Sequence, residues 1–149
     1  MIEVSRFSPA SVDVVWSVLA DGFLYASWVV GASRVRAVDA GWPAVGSRIH
    51  HSVGSWPVLI DDVTEVVDCE PGRLLVLQAR GWPAGEARVE LQLTPSVEAG
   101  VDGCRIGMRE DATHGPGRLV PRAVRQLAIA PRNKESLRRL AYLAERPRP

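Results

Sequence analysis

The last thirty or so residues, from about Arg118 onward, carry apolar side chains at helical spacing, and they follow a long run of short alternating segments broken by turn signals. That order, meander first and long amphipathic helix last, constrains the fold more than any other feature of the chain. An antiparallel sheet with one apolar face has to cover it. A helix laid across a curved sheet can do so by closing it into a container. A chain of this kind is therefore expected to hold a mostly apolar small molecule.

The helical stretch has two parts. Val120, Val124, Leu127 and Ala128 make one stripe, and Leu137, Leu140, Ala141 and Ala144 continue it. Pro131 lies between them and lacks a backbone donor, so a kink or short break is predicted there. At the other end, Ile2 to Ser8 alternates weakly and reads as a first strand. Ser11 can cap a helix that carries Val12, Val15, Trp16 and Leu19 on one side. Asp21-Gly22 ends it, and a second short helix is predicted from Phe23 to Trp28.

Six further strands are predicted: Ser33 to Asp39, Ser47 to Val53, Trp56 to Asp68, Leu74 to Arg80, Glu86 to Thr94 and Cys104 to Ala112. Pro71-Gly72 fits the centre of a type II turn, and Asp102-Gly103 is read as closing the last connection. Gly41-Trp42-Pro43-Ala44 and Gly81-Trp82-Pro83-Ala84 are read as two similar strand-end turns. Ala87, Val89, Leu91 and Leu93 share one face, opposed by Arg88, Glu90 and Gln92; Ile106 and Met108 oppose Arg105 and Arg109 in the same way. One covered and one wet face is the pattern of an antiparallel sheet. Asp61-Asp62 and Val66-Val67 break the two-residue period, which predicts a bulge or bend in that strand.

Composition narrows the class. The 149 residues make one domain by length, with 46% apolar and 23% charged residues, as in an ordinary globular protein. No apolar run approaches the ~18 residues of a membrane span, and Met1 to Ser8 lacks the pattern of an export signal. Cys69 and Cys104 have no metal-type spacing, so reduced thiols and a cytoplasmic location are expected. From Arg118 onward nine basic residues face Glu135 and Glu145, giving +7 and leaving −6 for the remainder. A helix with one buried face must put its charges on the other. Without interleaved aromatics that basic face does not read as a nucleic-acid site.

Signatures of specific chemistry are missing: no phosphate-cradling glycine loop, nucleophile elbow, HExxH or paired CxxC occurs. Gly115-Pro116-Gly117 reads as a helix entry or hinge. His50 and His51 are neighbours on a strand, so they point to opposite faces and cannot readily share a metal. One is expected inside and the other in solvent; an inner histidine could bind a ligand or move a proton. His114 is a weaker candidate. Asp61-Asp62 and Glu110-Asp111 fail as catalytic pairs by the same geometry. Glu110 alone continues the Ile106–Met108 face, where burial would raise its pKa; the opposing reading is that the strand has already left the covered sheet.

The order of elements is that of a helix-grip fold, and local details agree with it: Ser8-Pro9-Ala10 before Val15-Trp16, Trp28-Val29, Val45-Gly46-Ser47, Glu70-Pro71, and Arg132-Asn133 ahead of Ser136-Leu137-Arg138-Arg139-Leu140. Together they resemble the START-like superfamily (SRPBCC), in particular its polyketide cyclase/dehydrase and lipid-transport group. The resemblance implies an α+β helix-grip domain over 1–146: a curved seven-stranded antiparallel sheet, two short helices after the first strand and a long C-terminal helix across the sheet. Residues 147–149 are expected to be a frayed tail. It also implies a deep cavity for a lipid, polyketide or similar hydrophobic ligand. In such a cavity the expected contacts are Trp28, Trp56, Tyr25, Gln78, Arg80, Met108, Glu110 and Leu127, with Trp28 and Trp56 at the rim and Glu110 and His51 as the acid–base candidates. No metal, cofactor, nucleic acid or integral membrane association is expected, and a homodimer is left open. Three functions follow: a carrier or sensor of an apolar ligand, a cyclase/dehydratase-like enzyme, and a partner-binding module using the basic terminal helix. The first is favoured, since the motifs are those of a fold and carry no catalytic signature.

Overall fold

The computed structural model describes residues 3–55, 57–81 and 85–146. Ile2, Trp56, Trp82 and the tail 147–149 lie outside the described residues. Strand β1 (Glu3–Ser8) leads into α1 (Val12–Leu19), a 3₁₀ turn (Gly22–Leu24) and α2 (Tyr25–Trp28). Strands β2 (Ala32–Val38), β3 (Arg48–Ser55), β4 (Val58–Glu70), β5 (Leu74–Gly81), β6 (Gly85–Glu98) and β7 (Val101–His114) follow. A second 3₁₀ turn (Pro116–Leu119) enters α3 (Arg122–Glu145). The strands form one curved antiparallel sheet in the order β1-β7-β6-β5-β4-β3-β2. This is the expected helix-grip architecture.

Local chemistry sets the element ends. The Ser11 hydroxyl accepts from Val14 N at 3.2 Å and caps α1, whose Val15, Val18 and Leu19 are buried. Gly72 sits at φ 78° in the turn between β4 and β5, as its place after Pro71 predicts. The slip at Val66-Val67 is a bulge in the β4–β5 pairing, but Asp61-Asp62 lies in unbroken register with β3. The β6–β7 hairpin turns at Ala99-Gly100, both at positive φ, and not at Asp102-Gly103. Gly103 has another task. A side chain there would collide with the Ser8 backbone carbonyl, so its glycine lets the end of β1 lie against β7.

The first stripe assigned to the terminal helix is corrected by the structure. Leu137, Leu140, Ala141 and Ala144 are buried, but Val124 is 55% and Leu127 72% exposed. Ten residues separate Leu127 from Leu137, which at 3.6 residues per turn leaves them about 80° apart around the axis. The face that continues the buried seam runs instead through Gln126, Asn133 and Ser136, all buried. The break expected at Pro131 is also absent, because α3 is continuous through it. The carbonyl that Pro131 leaves without a helical donor belongs to Leu127, on the exposed face where water can serve it.

The solid core lies at one end of the molecule, where the C-terminal half of α3 packs with α1, β1 and the inner faces of β5, β6 and β7. Truncating this seam should be costly: Leu140→Ala is expected to lower unfolding free energy by about 2–5 kcal/mol in urea titrations. Leu127→Ala, on the exposed face, should change it by less than about 0.5 kcal/mol.

Candidate functional site

Register decides where the interior opens. Across β5, β6 and β7, Leu75, Leu91 and Met108 stand side by side, and Leu77, Val89 and Glu110 make the next row. The row after that is Ala79, Ala87 and Ala112. Large side chains meet α3 in the first rows; the alanine row leaves a gap under its N-terminal half. The result is a cavity of about 370 Å³, within the range of small-molecule sites. Its floor is the alanine row with Leu77 and Val89, and its walls include Tyr25, Trp28, Met108, Ile129 and Asn133. Val120, Val124 and Arg80, all exposed, also line it and mark the mouth, with the strongly exposed Leu119 close by in sequence.

Two polar groups interrupt this apolar lining. On the sheet side, His51 is 2% exposed and its Nε2 lies 2.8 Å from Thr64 Oγ1. The Tyr25 hydroxyl lies 3.2 Å from the same Thr64 oxygen, and the Tyr25 ring tilts against the imidazole with centroids 5.4 Å apart. Burial pushes the Tyr25 phenol up to about 12 and holds His51 below its ordinary value of 6.5, so both are neutral near neutral pH. His50 points the other way, toward Asp39 at 3.4 Å. The alternation of a strand thus assigns the inner role to His51.

The second group joins sheet to helix. Glu110 is 5% exposed and pairs with Arg132 of α3, while the Gln126 amide donates to the Glu110 carbonyl at 2.8 Å. Burial raises the Glu110 pKa, and the Arg132 charge and hydrogen bond partly offset it. Its neighbour Asp111 turns outward and takes Arg125 through both oxygens at 2.8 and 3.1 Å, which lowers its pKa. Adjacent carboxylates therefore shift in opposite directions.

Of the expected contacts, Tyr25, Trp28, Arg80, Met108 and Glu110 line the cavity, as does His51. Two do not. Leu127 projects from the outer face of α3. Gln78 alternates away from Leu77 and Ala79 and bonds Glu86 and Thr113 at 3.1 and 2.8 Å. Trp56 lies outside the described residues. His114 is exposed beside Glu86, and Trp42 donates to the Leu19 carbonyl at 3.1 Å to hold the loop after β2. Residues not anticipated from sequence are Thr64, Arg132, Asn133 and Ser136. The last two had a signal: polar residues in phase with Leu137 and Leu140 interrupt a buried helix face. Among the described residues no cluster of His, Cys, Asp or Glu could hold a metal, and no helix is long and apolar enough to cross a membrane.

The model of a family described as polyketide cyclase/dehydrase and lipid transport matches residues 1–145. Among solved structures, a protein from Rhodobacter sphaeroides is similar at 24% identity and TM-score 0.69, over 95% of this chain and 89% of that one. The Zhui aromatase/cyclase from Streptomyces sp. R1128 is 20% identical with TM-score 0.64, covering 97% and 93%. The di-domain aromatase/cyclase StfQ of the steffimycin biosynthetic pathway is 16% identical with TM-score 0.70, covering 97% of this chain and 50% of that one. At these identities the likeness is one of fold. No curated protein matches the sequence.

The Glu110–Arg132 pair makes stability depend on pH in a definite sense. Folding holds the Glu110 proton more tightly than the unfolded chain does, so the contribution of this group to stability is fully present below 4.5 and is lost as pH rises through the raised value. Glu110→Gln should flatten that decline relative to wild type. Arg132→Met, which removes the compensating cation, should carry it to higher pH. Urea unfolding at stepped pH values measures both; Asp111 and His51 are common to all three proteins and cancel in the differences.

Proposed function

The chain belongs to the polyketide cyclase/dehydrase and lipid transport family, and on that premise we propose that it takes a small, mostly apolar molecule into the cavity under α3 and holds it as a carrier or sensor. The observation that carries this reading is the row Ala79, Ala87 and Ala112, which keeps space open where the rows nearer the seam carry large side chains. Affinity would come from apolar area removed from water, at roughly 25 cal/mol per Å² before the costs of association. Tyr25, His51, Glu110 and Arg132 would orient the polar part of the guest. The mouth beside Val120 and Val124 gives it a way in.

A second reading, a cyclase/dehydratase-like enzyme, is favoured by one observation: Glu110 and His51 both border the same cavity. A neutral imidazole and a carboxyl with raised pKa are suited to proton transfer near neutral pH. Two of the similar structures are named aromatase/cyclases, which agrees with this alternative.

Mass spectrometry of molecules that co-purify with the protein tests the first reading. Wild type is expected to carry an apolar small molecule, and Ala87→Phe, which fills the floor of the cavity, is expected to lose it while unfolding at a similar urea concentration. Retention of the guest by a folded Ala87→Phe protein would count against the cavity as its site. With the guest identified, Glu110→Gln and His51→Gln separate the two readings. A carrier should change affinity only several-fold, whereas an enzyme should lose turnover.

A further inference from the structure

Among the described residues, two polar atoms of cavity-lining side chains are buried with no partner at hydrogen-bond distance: Nδ1 of His51, from β3, and Oδ1 of Asn133, from α3. Each residue is 2% exposed. Native chains leave few buried polar atoms unpaired, because each then forfeits the hydrogen bond that water would have given it. We propose that His51 and Asn133 form a divided hydrogen-bonding subsite for an uncharged donor group, a hydroxyl or an amide N–H, at the buried end of an otherwise apolar ligand. This rests on the binding reading above and specifies the chemistry that the cavity selects.

The donor requirement comes from Asn133. In the orientation that the structure gives Asn133 the unpaired atom is the side-chain oxygen, which can only accept, so a guest that displaces water from this wall has to bring a proton to it. The His51 side is adaptable. Thr64 Oγ1 stands between His51 Nε2 and the Tyr25 hydroxyl and has one proton to give. If Thr64 donates to Nε2, the ring proton sits on Nδ1, which then donates to the guest. If Thr64 donates to the Tyr25 oxygen, Nε2–H donates to Thr64 and Nδ1 accepts. His51 can therefore meet either a lone pair or a proton, whereas Asn133, as oriented, meets only a proton. Among the described residues the cations that line the cavity are already matched, Arg132 by Glu110, Arg125 by Asp111 and Arg80 by Glu86, so a carboxylate guest would enter beside a buried anion with no cation of its own.

Calorimetric titration of the full chain near pH 7 with three probes tests this: 2-naphthol, which donates and accepts; 2-methoxynaphthalene, which only accepts; and decanoate, an anion. The expected order is 2-naphthol tightest, with the methyl ether and decanoate each weaker by about tenfold, the scale of one satisfied hydrogen bond in a dry site. In Asn133→Leu the advantage of 2-naphthol over its ether should disappear. Unchanged binding of the ether to that variant reports that the cavity still folds. Equal binding of naphthol and ether to wild type, or an undiminished gap in Asn133→Leu, would overturn the subsite and leave the cavity reading intact. So would decanoate binding tightest. If none of the three probes binds, the cavity reading fails and the subsite fails with it.

Discussion

The seam formed by Leu137, Leu140, Ala141 and Ala144 is the contact on which the rest of the molecule depends. It fixes the C-terminal half of α3 on α1 and β1, and its apolar burial contributes on the order of 1.5–3 kcal/mol for each large side chain. A rigid helix held so firmly at one end projects its other half over the sheet at a set height. Whether that half meets packed side chains or empty space then follows from what the sheet presents beneath it. At the seam the sheet presents Leu91, Ile106 and Met108; farther along it presents alanines. Hollow and solid ends are two consequences of one docked helix.

The suspended half of α3 is secured differently. Arg125 reaches Asp111, Gln126 reaches the Glu110 carbonyl and Arg132 reaches the Glu110 carboxylate, all on the last part of β7. Such ties are weak individually where water competes, and a buried charge pair recovers its desolvation cost only with good geometry. They suit this place because they fasten the helix at its edge without filling the space beneath it, as leucines would. The exposure of Val124 and Leu127 follows from the same arrangement: Val124 stands at the open mouth of the cavity, and Leu127 projects from the outer side of the helix.

How far the site could be read beforehand varied with how local its cause is. His51 and Glu110 were legible as inward candidates because strand alternation is a two-residue rule. The same rule, applied to β5, puts Gln78 on the face away from Ala79, where it bonds Glu86 and Thr113 in place of a ligand. Leu127 departs from the expected contact for a related reason: the helix rotates between its two stripes, and the buried face passes through Gln126 instead. Thr64 was out of reach, since its importance comes from standing between His51 and Tyr25, residues 13 and 39 positions away.

The sequence by itself determined the type and order of the elements, the face that each strand turns inward and the helix that must cover them. These depend on spacings of two to four residues, which a chain displays openly. Only the tertiary structure decided that Ala79, Ala87 and Ala112 fall in one row, that Glu110 meets Arg132, and that His51 and Asn133 border the same cavity. Cross-strand register and helix rotation join residues far apart in the chain, and a shift of one position would have scattered the alanines and closed the cavity.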